Sequence, residues 1–188
     1  ANKAVPITQD LFDDLNPRFI NKSTQLIFSS NRNDDTLRIG DNYQKHPPRA
    51  THDLFIYDLV KKNTNVLKRF TNSPDINEKM PSQFDKNRIT YLGDNNGILN
   101  RYLATEHYRY FTVIKPISNS SRNILEYDIN PETKKYSQIV FYNNRYRLYV
   151  GQEADYKSQS DLKLYSPKTI TPTNEYANSD TLIKPRKH

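Results

Sequence analysis

Three stretches of this chain repeat one pattern, and that repeat constrains the fold more than any other feature of the sequence. Leu26-Ile27-Phe28-Ser29-Ser30-Asn31-Arg32, Ile89-Thr90-Tyr91-Leu92-Gly93-Asp94-Asn95 and Ile139-Val140-Phe141-Tyr142-Asn143-Asn144-Arg145 each read as a short apolar strand that ends in an aromatic residue and runs into a polar turn. A second strand with a tyrosine near its end follows each one: Leu54-Phe55-Ile56-Tyr57, Leu99-Asn100-Arg101-Tyr102 and Tyr146-Arg147-Leu148-Tyr149. Superposing the copies on Phe28, Tyr91 and Phe141, with an insertion of roughly 18 residues in the first between Asn33 and His52, leaves a period of about 45 residues, the length of one four-stranded propeller blade. Pro17 and Pro81 precede the aligned strands at nearly equal distances, at strand starts where a proline loses no ladder hydrogen bond. Tyr57, Tyr102 and Tyr149 fall at matching places, which predicts rings packed in the core between neighbouring repeats.

Short apolar runs bounded by turn residues predict strands at Gln25–Ser29, Leu54–Leu59, Val66–Phe70, Arg88–Leu92, Leu99–Ala104, Tyr108–Ile114, Gln138–Tyr142 and Tyr146–Val150; none has helical spacing. With 14 Tyr and 8 Phe among 188 residues, the apolar surface comes in large rings, which a disordered chain would not carry. Only 4 Gly are present, and asparagines that tolerate left-handed backbone are expected to fill the turns: Asn31, Asn33, Asn63, Asn72, Asn95-Asn96 and Asn143-Asn144. The fold class is therefore all-β, with about two to three four-stranded antiparallel blades over residues 1–150. Residues 151–188 turn polar and read as a linker or tail, with one added strand expected at Asp161–Ser166. A closed propeller needs at least about four blades, so the stretch is expected to be part of a larger one.

The 28 Lys and Arg exceed the 21 Asp and Glu, for a formal net charge of +7, but both signs are interleaved along the chain. That favours a solvated basic surface over a nucleic-acid site. Tyr108-Arg109-Tyr110 and Arg145-Tyr146-Arg147 have a composition that can stack bases, but rings aligned at the equivalent repeat positions Tyr57, Tyr102 and Tyr149 favour core packing over nucleic-acid binding. No apolar run is long enough to span a membrane, and Ala1-Asn2-Lys3-Ala4 lacks the apolar stretch of a signal peptide.

Little in the sequence has the spacing that chemistry demands. His46, His52, His107 and His188 form no metal-ligand motif. Asp13-Asp14 and Asp34-Asp35 are adjacent acids on expected loops, a poor match to carboxylates placed across a sugar. Asp94-Asn95-Asn96-Gly97 resembles a fragment of a calcium loop without its later bidentate Glu, and is read as a turn. Absence of Cys removes thiol catalysis and Cys-based zinc sites. No catalytic residue, metal ligand or cofactor site is expected, and a cation in a propeller channel is left open. Long loops are where function tends to sit, and the insertion carries His46-Pro47-Pro48-Arg49 and Tyr43. A protein-binding face is expected at the loops after the first-mentioned strands: Asn31, Arg32, Tyr43, Arg49, Asp94, Asn95, Asn144 and Arg145.

At Pro17-Arg18-Phe19 through Ser29-Ser30-Asn31-Arg32 with Asp53-Leu54-Phe55-Ile56-Tyr57-Asp58-Leu59, and at Thr71-Asn72-Ser73-Pro74 through Asp94-Asn95-Asn96-Gly97 with Asn100-Arg101-Tyr102, the chain resembles TolB-like, WD40-like β-propeller repeats. Pro17 to Val150, including Ser121-Arg122-Asn123-Ile124-Leu125-Glu126, is similar to the large TolB-like proteins of the Bacteroidota cell envelope. The third copy departs from the family pattern, carrying Asn130-Pro131-Glu132-Thr133 in place of a Pro-Asp-Gly turn. The resemblance implies a non-catalytic interaction platform or scaffold subunit with protein partners in the periplasm, associated with the outer membrane, the rest of the propeller coming from the same or another chain. Propellers also host enzymes, so the alternative is the propeller portion of an envelope glycoside hydrolase or serine peptidase.

Overall fold

The computed structural model describes residues 3–37, 47–61, 65–107 and 111–154, together with Leu164. Among them there is no helix. The described residues form eleven strands in three antiparallel sheets. The first contains β1 (Asp14–Ile20), β2 (Gln25–Ser30), β3 (Asp53–Asp58) and β4 (Lys68–Arg69). The second contains β5 (Glu78–Gln83), β6 (Arg88–Gly93), β7 (Asn100–His107) and β8 (Phe111–Pro116). The third contains β9 (Ile124–Ile129), β10 (Lys135–Tyr142) and β11 (Arg145–Gln152). Each sheet is an up-and-down meander with its strands in chain order. The first strands lie side by side, β5 packing against β1 and β9 against β5.

The sheets stack through alternating faces, as a period-2 side-chain pattern requires. Ile27, Leu54 and Ile56 of sheet 1 meet Ile89, Tyr91, Tyr102 and Ala104 of sheet 2 in one buried cluster. Leu92 and Leu103, on the other face of sheet 2, meet Ile124, Tyr127, Ile129 and Val140 of sheet 3 in a second. Each fully buried Leu, Ile or Phe contributes about 1.5–3 kcal/mol to holding the stack. The far face of sheet 1 buries Phe28, Phe55 and Leu67 under Leu37. That cover is fixed by the Thr36–Val66 bridge and by Leu37 N–H donating to the Asn65 carbonyl at 2.7 Å.

Sheets 1 and 2 are joined to the next sheet by the same hydrogen-bond device. Asp53 accepts the Ser73 N–H at 2.8 Å, and Asn100 accepts the Ser120 N–H at 2.6 Å. The hydroxyls of Thr71 and Ser118 accept the Leu54 and Arg101 N–H groups, each at 2.8 Å. The Glu78 N–H then bonds the His52 carbonyl, and the Ile124 N–H the Leu99 carbonyl, both at 3.0 Å. Thr71-Asn72-Ser73 and Ser118-Asn119-Ser120 are thus one motif written twice. In sheet 3 the register puts Arg145 where Asp53 and Asn100 stand, so the acceptor is gone.

Register corrects the superposition of the third copy. Phe28 opposes Phe55 and Tyr91 opposes Tyr102, and these side chains face away from the following sheet. In sheet 3 the equivalent inward residue is Val140, opposite Arg147, and Phe141 faces outward. A one-residue slip reverses the face of every side chain. The tyrosines expected to match do not: Tyr102 is buried, Tyr57 is half-buried opposite Leu26, and Tyr149 is exposed opposite Gln138.

Pro17 and Pro81 lie inside β1 and β5, not at their starts. Each sits at a bulge where the ladder skips from Leu15 to Arg18 and from Lys79 to Ser82. The preceding residues, Asn16 and Met80, have φ of 53° and 51°, and a bulge is where a strand admits both a proline and left-handed backbone. Of the turn asparagines expected to be left-handed, Asn143 and Asn144 are, joined by Asn16 and Asn21; Asn63 lies outside the described residues.

Candidate interaction face

Because neighbouring strands are antiparallel, the β2–β3, β6–β7 and β10–β11 connections leave from the same end of their sheets as the links from β4 to β5 and β8 to β9. This end carries most of the buried charge. The Arg32 guanidinium donates to both carboxylate oxygens of Asp14 at 2.8 and 2.9 Å and to Asp10 at 3.1 Å. Its plane lies over Phe12 at 5.1 Å, with Phe28 and Phe55 just under 6 Å away. Asn31 accepts the Asp13 N–H at 2.9 Å. Asn31 and Arg32, expected on a binding surface, are buried and hold the N-terminal segment onto sheet 1.

Arg49 does reach the face. Its backbone N–H bonds the Asn31 carbonyl at 2.7 Å, and its guanidinium pairs with the buried Asp53. Arg69 bonds the same Asp53 carboxylate and, on its other side, Asp35, both at 2.8 Å, while stacking 4.5 Å above Phe55. Arg49, Arg69, Asp34, Asp35, Asn33 and Asn72 line an open depression. Tyr43 lies outside the described residues. Asp94 accepts the Asn77 N–H at 2.7 Å, so it braces the link into β5. Asn95, Asn144 and Arg145 are exposed on the loops of sheets 2 and 3. Asn31 and Arg49 are therefore brought together, while Asp94, Asn95, Asn144 and Arg145 lie at the same end of later sheets.

Beneath the depression Glu78 is fully buried. It accepts a hydrogen bond from the Thr71 hydroxyl, and its Oε1 has no partner. Burial pushes its carboxyl up to about 7; the Thr71 bond opposes this and the negative charge of Asp53 adds to it. Burial likewise raises the Tyr91 hydroxyl, with the Glu78 charge next in importance.

Chemically, the arrangement offers paired charges of both signs at a shallow surface. The Arg49 and Arg69 guanidiniums are matched by carboxylates, and among the described residues no group of three or more His, Asp or Glu is placed to hold a metal. Asp10, Arg69 and Glu78 were not singled out in the sequence; Asp14, read as half of an acid pair on a loop, opens β1 and pairs with Arg32, and Asp53 was quoted only as part of the repeat. The second writing of Thr71-Asn72-Ser73 was the available signal for the junction, and it fixes Asp53 and Asn100 as its acceptors. Comparison with known proteins finds no matching family model and no similar curated protein. Among the described residues no helix is long and apolar enough to cross a membrane.

Proposed function

We propose that the chain is a segment of a TolB-like β-propeller that serves as a non-catalytic platform for protein partners in a Gram-negative cell envelope, on the periplasmic side and associated with the outer membrane. The observation that carries the reading is the twice-repeated junction, in which successive meanders stack face to face with their first strands adjacent. That geometry is what a propeller blade needs from its neighbour. The exposed part of the loop face is polar, carries both signs of charge and is shallow, which suits a macromolecular contact better than a small substrate. No cofactor enters this reading.

The test is affinity capture from an envelope extract with the full chain as bait, compared with a chain carrying Asn95→Ala, Asn144→Ala and Arg145→Ala together. A specific partner lost with the triple variant supports the platform. Hydrolysis of a glycan or peptide panel, with no specific partner, would replace it with the envelope-hydrolase reading.

A further inference from the structure

We infer that the outer edge of β11 is a homodimer interface, at which a second copy of this chain adds its own β11 antiparallel to form one six-stranded sheet. The inference rests on sheet 3 alone and does not depend on the propeller reading.

In sheets 1 and 2 the third strand is covered by a fourth, β4 or β8, but β11 holds the third place in sheet 3 and no described strand lies beyond it. The strand expected at Asp161–Ser166 does not take the position at its one described residue: Leu164 packs against the cluster between sheets 1 and 2, on the far side of sheet 2. Natural edges are blunted by proline, charged side chains and above all lysine, bulges or short length, and Arg145 and Arg147 are the two charges that β11 carries. β11 has eight residues, no Pro or Lys, and pairs with β10 without a register shift. Tyr146, Leu148 and Val150 on its outward face are 73%, 68% and 74% exposed.

The turn fixes which backbone groups are free. Asn143 and Asn144, at φ of 49° and 56°, make a two-residue turn of the type that closes on a hydrogen-bonded pair, here Tyr142 and Arg145. Bonding alternates from there, so Arg145, Arg147 and Tyr149 bond β10 while the N–H and C=O groups of Tyr146, Leu148 and Val150 point out from the edge.

The edge has a register in which it is complementary to itself. A two-fold axis normal to the sheet pairs only residues of the same face. Centred on Arg147, it would place two like charges opposite each other, which is unfavourable. Centred on Leu148, it sets Leu148 against its copy, Tyr146 against Val150, and the Arg147 cation against the ring of Tyr149, with about six new backbone hydrogen bonds.

The experiment is sedimentation equilibrium on the full chain from micromolar to millimolar concentration, with residue-resolved hydrogen exchange on the same samples. The expected mass rises with concentration from 22.1 kDa towards twice that value. Over the same range the amides of Tyr146, Leu148 and Val150 slow at least tenfold, and those of Arg147 and Tyr149 do not change. Leu148→Pro removes an outward N–H without breaking the β10 ladder and is expected to stay monomeric, as is Val150→Lys, which needs no backbone change. A single 22.1 kDa species at every concentration, with the edge amides exchanging freely, overturns the inference. So does a dimer that survives both substitutions, or the edge being taken only by a different protein.

Discussion

Glu78 couples the stability of this fold to pH through one buried carboxyl. Its folded value of about 7 lies above the ordinary 4.5, so the folded state holds the proton more tightly than the unfolded chain. The stabilisation is complete below pH 4.5 and is lost as pH rises through 7. Glu78→Gln keeps the shape and cannot ionise. Urea denaturation from pH 4.5 to 8 should show the wild type losing on the order of 3 kcal/mol relative to this variant; parallel profiles would show that Glu78 does not titrate there. Tyr102 presents the opposite case. Its hydroxyl is buried without a partner, and Phe55 fills the same register position in sheet 1 with no hydroxyl at all. Tyr102→Phe is therefore expected to raise the denaturation midpoint, by about 1 kcal/mol in stability. Arg32→Ala leaves Asp10 and Asp14 facing a buried gap and should cost about 3–5 kcal/mol. A loss below about 1 kcal/mol in the same denaturation assay would mean that the ion triad is open to water.

Among the elements, strands with intact alternation were legible, and strands carrying a bulge were not. Gln25–Ser30, Asp53–Asp58 and Arg88–Gly93 lie within a residue or so of the apolar runs that announce them. β1, β5 and β9 were missed. Each changes pleat parity midway, at Asn16-Pro17, at Met80-Pro81 and at Leu125, so no period-2 pattern survives along the strand. The run Val66–Phe70 keeps only Lys68–Arg69 as strand, because Leu67 turns back to bond the Asp35 carbonyl. Charged residues of the loop face were half legible for a related reason. A sequence marks Arg32 as a turn residue, but the partners that bury it, Asp10 and Asp14, come from a segment with no pattern of its own. The β10–β11 turn makes its own prediction. Asn144 has φ of 56°, so Asn144→Gly should hold or raise the thermal midpoint, whereas Asn144→Val should lower stability by about 1–2 kcal/mol. Equal midpoints for the two would argue against the left-handed turn.

Over the whole molecule, three meanders share two inter-sheet clusters, and the third meander is turned by one residue relative to the repeat written in the sequence. That turn directs Phe141, Tyr146, Leu148 and Val150 away from sheet 2 and leaves them on an open face. It also places Arg145 where Asp53 and Asn100 accept the junction hydrogen bonds in sheets 1 and 2. The stacking and the proposed edge contact both depend on this register. The most direct measurement is the denaturation midpoint of two single variants, Val140→Asp and Phe141→Asp. With Val140 buried against sheet 2, Val140→Asp should abolish cooperative folding or lower stability by more than about 3 kcal/mol, while Phe141→Asp stays folded within about 1 kcal/mol of the parent. The reverse order would put Phe141 in the core and contradict the arrangement of the third sheet.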